Sequence, residues 1–196
     1  MPPSNCSPIL TAFPFPSYRL NIFGFPMTPS VPLTQTNLGL LDQRAAIIWR
    51  QENISRFGGD PQRMTLFGES AGSASVVTYM FSYPDDPIAS AFIAMFQYDM
   101  KGGYPTEFAR VAKNVGCGAA GSEKEVFECM MKADAKDIVM GVSNNTYNRF
   151  DALPGGHPVV DNTTVWRREG YIEQARKGKV AKGVSPETRL WHKSGN

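Results

Sequence analysis

Met64-Thr65-Leu66-Phe67-Gly68-Glu69-Ser70-Ala71-Gly72-Ser73-Ala74-Ser75-Val76-Val77 is the stretch that decides the fold. Met64 to Phe67 is a short apolar run between Pro61 and Gly68, the pattern of a buried strand. From Ser73 to Phe81 small and apolar residues resume as a helix, closed near Pro84-Asp85-Asp86-Pro87. Between them, Gly68-Glu69-Ser70-Ala71-Gly72 matches G-x-S-x-G, the pattern of a sharp strand-to-helix turn that exposes a serine Oγ. Glycines two positions either side let strand and helix approach without clashing Cβ atoms. Ala71 then offers its backbone N–H at the helix start, where donors are unpaired and the local dipole favours an oxyanion. A Gly/Ser-rich turn with no chemistry is the alternative. The strand before and the helix after favour a nucleophile.

Outward from this corner, Ile88 to Phe96 is again apolar and suits the next parallel strand. Upstream, Leu41, Ala45, Ile48 and Trp49 recur at helical spacing between Gly39 and Phe57, which places Arg44 and Glu52 on the wet side. Gly58-Gly59-Asp60-Pro61 ends that helix. Residues 24 to 38, with Pro26, Pro29 and Pro32, form an irregular loop, and Ser17 to Phe23 is expected as a strand of β-formers. Strand, helix, strand, helix, strand is the order of βαβ units on a mostly parallel sheet, so the fold class is α/β with flanking helices. Further on, helices are expected over Glu107–Val115, Glu123–Lys132 and Asp134–Val142. A turn at Leu153-Pro154-Gly155-Gly156 leads to an extended stretch, His157 to Asp161, and then a basic amphipathic segment, Trp166 to Lys177.

Composition narrows the function classes. The 196 residues are 42% apolar and 19% charged, a balance for a packed core. A formal charge of +2 gives no electrostatic case for a nucleic-acid or membrane-surface partner. No run approaches the roughly 20 apolar residues of a membrane span, and the first residues lack the form of a secretory leader. Three cysteines are too few for a disulfide scaffold, and neither they nor the two histidines have metal-ligand spacing, so no metal and no cofactor is expected. Arg167, Arg168, Arg176, Lys177, Lys179 and Lys182 make a basic stretch better read as a solvated helix face than as a nucleic-acid surface. Asn144-Asn145-Thr146 and Asn162-Thr163-Thr164 are sequons, open to glycans if the protein is exported.

Several segments together resemble type-B (cholinesterase-like) carboxylesterases: Ser17-Tyr18-Arg19-Leu20, Phe23-Gly24-Phe25, Asn37-Leu38-Gly39-Leu40-Leu41-Asp42-Gln43, Gln51-Glu52-Asn53-Ile54, and Phe57-Gly58-Gly59-Asp60-Pro61 running into Thr65-Leu66-Phe67-Gly68-Glu69-Ser70-Ala71-Gly72. The run has that family's order and spacing over residues 17 to about 82. It thins through Pro158-Val159-Val160-Asp161 to Ala181, and is most similar to fungal members. The resemblance implies an α/β-hydrolase fold, a secreted enzyme, and cleavage of small-molecule esters through a Ser-Glu-His triad, with Ser70 as nucleophile and the Ala71 N–H as one oxyanion donor. It also implies a loop disulfide between Cys117 and Cys129, with two free thiols in a helical region as the less favoured alternative. Arg19 and Asp42 are expected as a buried ion pair at the base of the corner.

The departures from that pattern matter as much. Residues 1–16, Pro-rich, stand where the family carries a glycine-rich H-G-G oxyanion segment, and residues 183–196 replace its acid-bearing strand. The expectation is a partial domain over 17–182, truncated at both ends and inactive as an isolated chain. His157, at a turn, and His192, in the tail, are the available bases, and neither sits in a matching segment. Glu69, adjacent to Ser70, cannot lie in line with a base on the same serine and is expected beneath the corner in a structural role. Two rival readings remain: a non-catalytic adhesion or binding relative, and an incomplete gene product without function.

Overall fold

The computed structural model describes residues 15–95, 105–119, 121–143 and 158–182. One helical turn, α1 (Asn21–Gly24), and a 3-10 turn at Leu33–Gln35 precede the long helix α2 (Leu38–Asn53). The centre is β1 (Thr65–Glu69), α3 (Ala71–Ser82) and β2 (Ala91–Met95). The two strands pair in parallel, with Thr65 opposite Ala91 and Glu69 opposite Met95, so α3 is the crossover of a βαβ unit. Then come α4 (Pro105–Asn114), α5 (Glu123–Lys132), α6 (Ala135–Ser143) and α7 (Arg168–Arg176).

The α/β order expected from the sequence is therefore present, with three differences. Ser17 to Phe23 is no strand. The Arg19 N–H, which a sheet partner would have taken, donates instead to the Asp42 carboxylate at 3.1 Å, and the chain turns into α1. The buried stripe of α2 is Gly39, Leu40 and Ile47, whereas Leu41, Ile48 and Trp49 are exposed, Trp49 by 57%. Arg44 explains the rotation. It lies inward, hydrogen-bonded to Tyr79 Oη and to the Asp86 carbonyl at 2.9 Å, with its guanidinium 4.2 Å from the centre of the Tyr83 ring. A cation that stacks on aromatic rings and bonds carbonyls can occupy a core-facing position. Glu52 is exposed, as the pattern implied.

The third difference is in β1. Leu66 and Gly68 face α3, while Thr65, Phe67 and Glu69 point to the other face, which no described element covers; Phe67 is 59% exposed. The alternation is that of a half-covered strand rather than a fully buried one.

Of the four buried apolar clusters among the described residues, two are the larger. Phe108, Val111 and Ala112 of α4 pack with Met130 of α5, Ile138 and Val142 of α6, and Ile22 of α1. Cys117 and Cys129 are joined in this cluster with Cα atoms 5.7 Å apart, so the disulfide implied by resemblance is present. Ser122 caps α5 with Glu125 in a reciprocal capping box. In the second core, Val76, Met80 and Phe81 of α3 meet Trp166, Tyr171 and Ala181. The basic residues near α7 all face solvent while Tyr171 points inward.

The extended Pro158–Asp161 stretch is held by side-chain bonds rather than by a sheet. Asn37 accepts from Val159 N at 2.7 Å and donates to Val159 O at 2.9 Å and to Asp161 Oδ2 at 3.0 Å. Asp161 Oδ1 accepts from the backbone N–H of Thr163, Thr164 and Val165 at 2.9, 2.7 and 2.8 Å. Burial pushes the Asp161 carboxyl up, but these donors more than offset it and hold its pKa below the usual carboxylate range. The turn at 153–156, His157, His192, Cys6 and the sequon at Asn144 lie outside the described residues.

Candidate active site

β1 delivers the chain to Ser70, and α3 takes it away. Ser70 N–H still bonds Met95 O at 3.3 Å, one step beyond the last β-pair, and Ser70 O already accepts from Ala74 N at 3.1 Å, the first bond of the helix. One residue must serve both elements, and its backbone shows the cost, with φ at 52° and ψ at −116°. A side chain at positive φ meets its own carbonyl, and such conformations cost roughly 1–3 kcal/mol unless the surroundings impose them.

The surroundings do so at Gly68. A Cβ there would lie 2.2 Å from both the carbonyl carbon and oxygen of Gly72 and 2.7 Å from Ser73 N, so α3 rests directly on the strand backbone. Only glycine permits that approach. The pattern's second glycine behaves differently: a Cβ at Gly72 would meet nothing among the described residues. The steric argument for paired glycines therefore holds for one of them.

The result is an exposed Ser70 whose side chain makes no capping bond to its own helix. Ala71, the first residue of α3, is exposed as well, and its N–H is among the helix-start donors without an intrahelical partner. Hydroxyl and donor are consecutive in the chain. An acyl carbon attacked by Ser70 would develop its negative oxygen beside the positive end of α3.

Other sequence-expected residues fall differently. Glu69 ends β1 with its side chain on the uncovered face, exposed and without a hydrogen bond among the described residues, so the role beneath the corner is not the one it takes. The strand's alternation sends it away from α3. Arg19 and Asp42 do meet: Nε donates to Oδ2 at 2.8 Å and Nη2 to Oδ1 at 2.7 Å. The pair is not buried, with the side chains 50% and 26% exposed, because it lies over the start of α2 rather than under the strands. The Arg19 side-chain hydrogen bonds draw the Asp42 pKa down against the opposing effect of burial. No histidine is among the described residues, and no described group of three His, Cys, Asp or Glu could hold a metal ion.

Sequence reasoning missed Ser73. It is fully buried in the first turns of α3, its backbone nitrogen crowds Gly68 next after the Gly72 carbonyl, and its Oγ has no hydrogen-bond partner among the described residues. Its smallness is what the close packing uses, and the only signal for it was the run of small residues after Gly72. Missed too was Asn37, whose carboxamide ties the start of α2 to the Pro158–Asp161 segment.

A parallel βαβ unit with a strained serine at the strand–helix junction is the arrangement of a strand–turn–helix corner in an α/β-hydrolase fold. The chain belongs to the carboxylesterase family, whose pattern it matches over residues 15–185. It is 41% identical over 170 residues to a chlorogenic acid esterase of Aspergillus niger, a match covering 85% of this chain and 32% of that protein. It is also 41% identical over 130 residues to secreted lipase 5 of Gibberella zeae, covering 62% of this chain and 24% of the relative. The chain thus spans about a third or less of the length of these curated relatives.

Proposed function

We propose that this chain carries the nucleophile of a secreted carboxylic-ester hydrolase, with Ser70 attacking the ester carbonyl and the Ala71 N–H stabilising the oxyanion. The observation that supports it most is the backbone of Ser70, held at φ 52° by the contact of Gly68 with Gly72 and Ser73. Strain of that kind persists where the surrounding structure over-determines it, and here it leaves a hydroxyl exposed at a helix N-terminus. Attack forms a tetrahedral intermediate, whose collapse expels the alcohol and leaves an acyl group on Ser70 Oγ. Water then releases the acid by the same route. Family membership supports a small carboxylic ester as substrate. The relative named a chlorogenic acid esterase makes chlorogenic acid the first compound to try.

Export is supported by the Cys117–Cys129 bond and by the relative named a secreted lipase. No described helix is long and apolar enough to cross a membrane. A serine hydroxyl needs a base, and the resemblance assigns the family's catalytic histidine to neither of the two histidines in these 196 residues, His157 and His192. The chain by itself is therefore proposed to be inert, since loss of a triad base costs on the order of a millionfold in turnover.

The test has two arms. A fluorophosphonate probe on the complete protein, followed by peptide mapping, should label Ser70, and label on another serine would overturn the assignment. Hydrolysis of a short-chain activated ester by the 196 residues should equal that of Ser70→Ala. A clear excess would mean that the chain holds a working base, with His157 the first to replace.

A further inference from the structure

We propose that Asn162 is a site of N-linked glycosylation, placed at the far end of α3 from the nucleophile. The inference rests on the export reading above and not on catalysis. Asn162-Thr163-Thr164 is a sequon with no proline at its middle position. Its conformation is set by Asp161, which gathers the N–H groups of Thr163, Thr164 and Val165 inward, while Asn162 N–H closes the turn on Val165 O at 3.0 Å. That arrangement leaves Asn162 at the exposed tip, with φ at 57°. Among the described residues its carboxamide makes no hydrogen bond.

An asparagine at positive φ has an ordinary explanation, because it tolerates the left-handed region better than most residues. Thr164 is what that explanation leaves over. The turn uses its backbone, the N–H toward Asp161 and the carbonyl toward Ser82 Oγ at 2.8 Å. Its hydroxyl makes no hydrogen bond among the described residues, so any small residue would serve the turn equally. The hydroxyl two residues after an exposed asparagine is the group that a glycosyl transferase requires.

In the reaction the Asn162 amide nitrogen attacks the anomeric carbon of a lipid-pyrophosphate-linked oligosaccharide. The N–C bond forms as the C–O bond to pyrophosphate breaks. The lipid pyrophosphate leaves with the electron pair, and the nitrogen releases one proton.

Position makes the modification compatible with the active site. Ser82 is the last residue of α3 and bonds Thr164, whereas Ser70 precedes the first. Twelve helical residues at about 1.5 Å each separate the two ends by roughly 18 Å. A glycan on Asn162 would shield the packing of α3 on Trp166 and Tyr171 and leave Ser70 open.

To test this, the full chain would be secreted from a yeast host behind a cleavable leader, and its peptides mapped after enzymatic deglycosylation in 18O-water. The peptide holding Asn162 should appear as labelled aspartate. The modification should vanish in Thr164→Ala and persist in Thr164→Ser, which keeps the hydroxyl. Asn162→Asp, tolerant of the same backbone, should lose the glycan and still be secreted. Secreted protein with the Asn162 peptide wholly unmodified, or with glycan at Asn144 alone, would overturn the proposal.

Discussion

Asp161 makes four hydrogen bonds with one carboxylate, and its replacement is the most informative perturbation of the fold. Three backbone N–H groups converge on Oδ1 and Asn37 Nδ2 on Oδ2, all between 2.7 and 3.0 Å. A bond to a charged group contributes about 1.5–3 kcal/mol, but three donors share one oxygen and two belong to residues that reach solvent. The simple sum is therefore too large, and Asp161→Ala is expected to cost ~3–4 kcal/mol. For a chain of this size that lowers Tm by roughly 10 °C.

Asp161→Asn discriminates further. Its carbonyl oxygen can still accept the three N–H groups, but its NH2 would face Asn37 Nδ2, donor against donor, for a cost of about 1–2 kcal/mol. The pH dependence has a definite sign. The folded-state pKa of Asp161 lies below its unfolded value, so its contribution is complete above the unfolded value near ~4 and is lost as pH falls through the lower folded value. Urea titrations at neutral pH and near pH ~2.5 should show the gap between parent and Asp161→Ala narrowing in acid. Equal midpoints at neutral pH, or a gap of the same size in acid, would refute the reasoning.

The two elbow glycines should separate sharply. Gly68→Ala places a Cβ 2.2 Å from Gly72 backbone and is expected to abolish probe labelling of Ser70, whereas Gly72→Ala meets nothing among the described residues and should stay near neutral; equal effects would be inconsistent with the packing. Asp42→Asn should cost only about 1 kcal/mol by chemical denaturation, because the pair with Arg19 is half exposed, and a loss above ~3 kcal/mol would mean that it is buried in the complete protein. Replacing Cys117 and Cys129 together by serine should cost ~3 kcal/mol on the chain-entropy account, and an unchanged urea midpoint would exclude a structural role for the bond.

What could be read from the sequence was what local pattern controls. Gly68, Ser70 and the apolar runs on either side announced a strand, a turn and a helix, and the parallel partner followed from Ile88 to Phe96. Glu123–Lys132 was legible as a helix from its local residues, and the structure adds the Ser122–Glu125 cap that fixes its start. The α2 face was misread because Leu41, Ile48 and Trp49 are the more apolar stripe. Arg44 reaches the core through rings of α3 and its following loop, which no spacing within α2 reveals. Ser17 to Phe23 failed for a similar reason. β-Formers make a strand only beside another strand, and Arg19 found Asp42 instead.

The same long-range contacts explain how a strained serine is kept in place. Ser70 sits at the first turn of α3, and strain there could relax if the helix were free to slide along β1. The described structure opposes this along the whole helix. Gly68 meets its first turn, and Gln43 of α2 donates to Ser75 Oγ at 3.1 Å. Thr78 pairs with Tyr171 Oη at 3.2 Å, Ala181 N–H bonds Met80 O at 2.9 Å, and Ser82 reaches Thr164. Three of these five ties come from residues 164–181, and that segment is itself anchored through Asp161 to Asn37. The elbow is consequently more than a local motif. Its geometry depends on a segment about a hundred residues downstream, so Asp161→Ala should weaken probe labelling of Ser70 as well as stability. Labelling unchanged while the 158–165 turn is released would locate the constraint on Ser70 entirely in Gly68 and the first turn of α3.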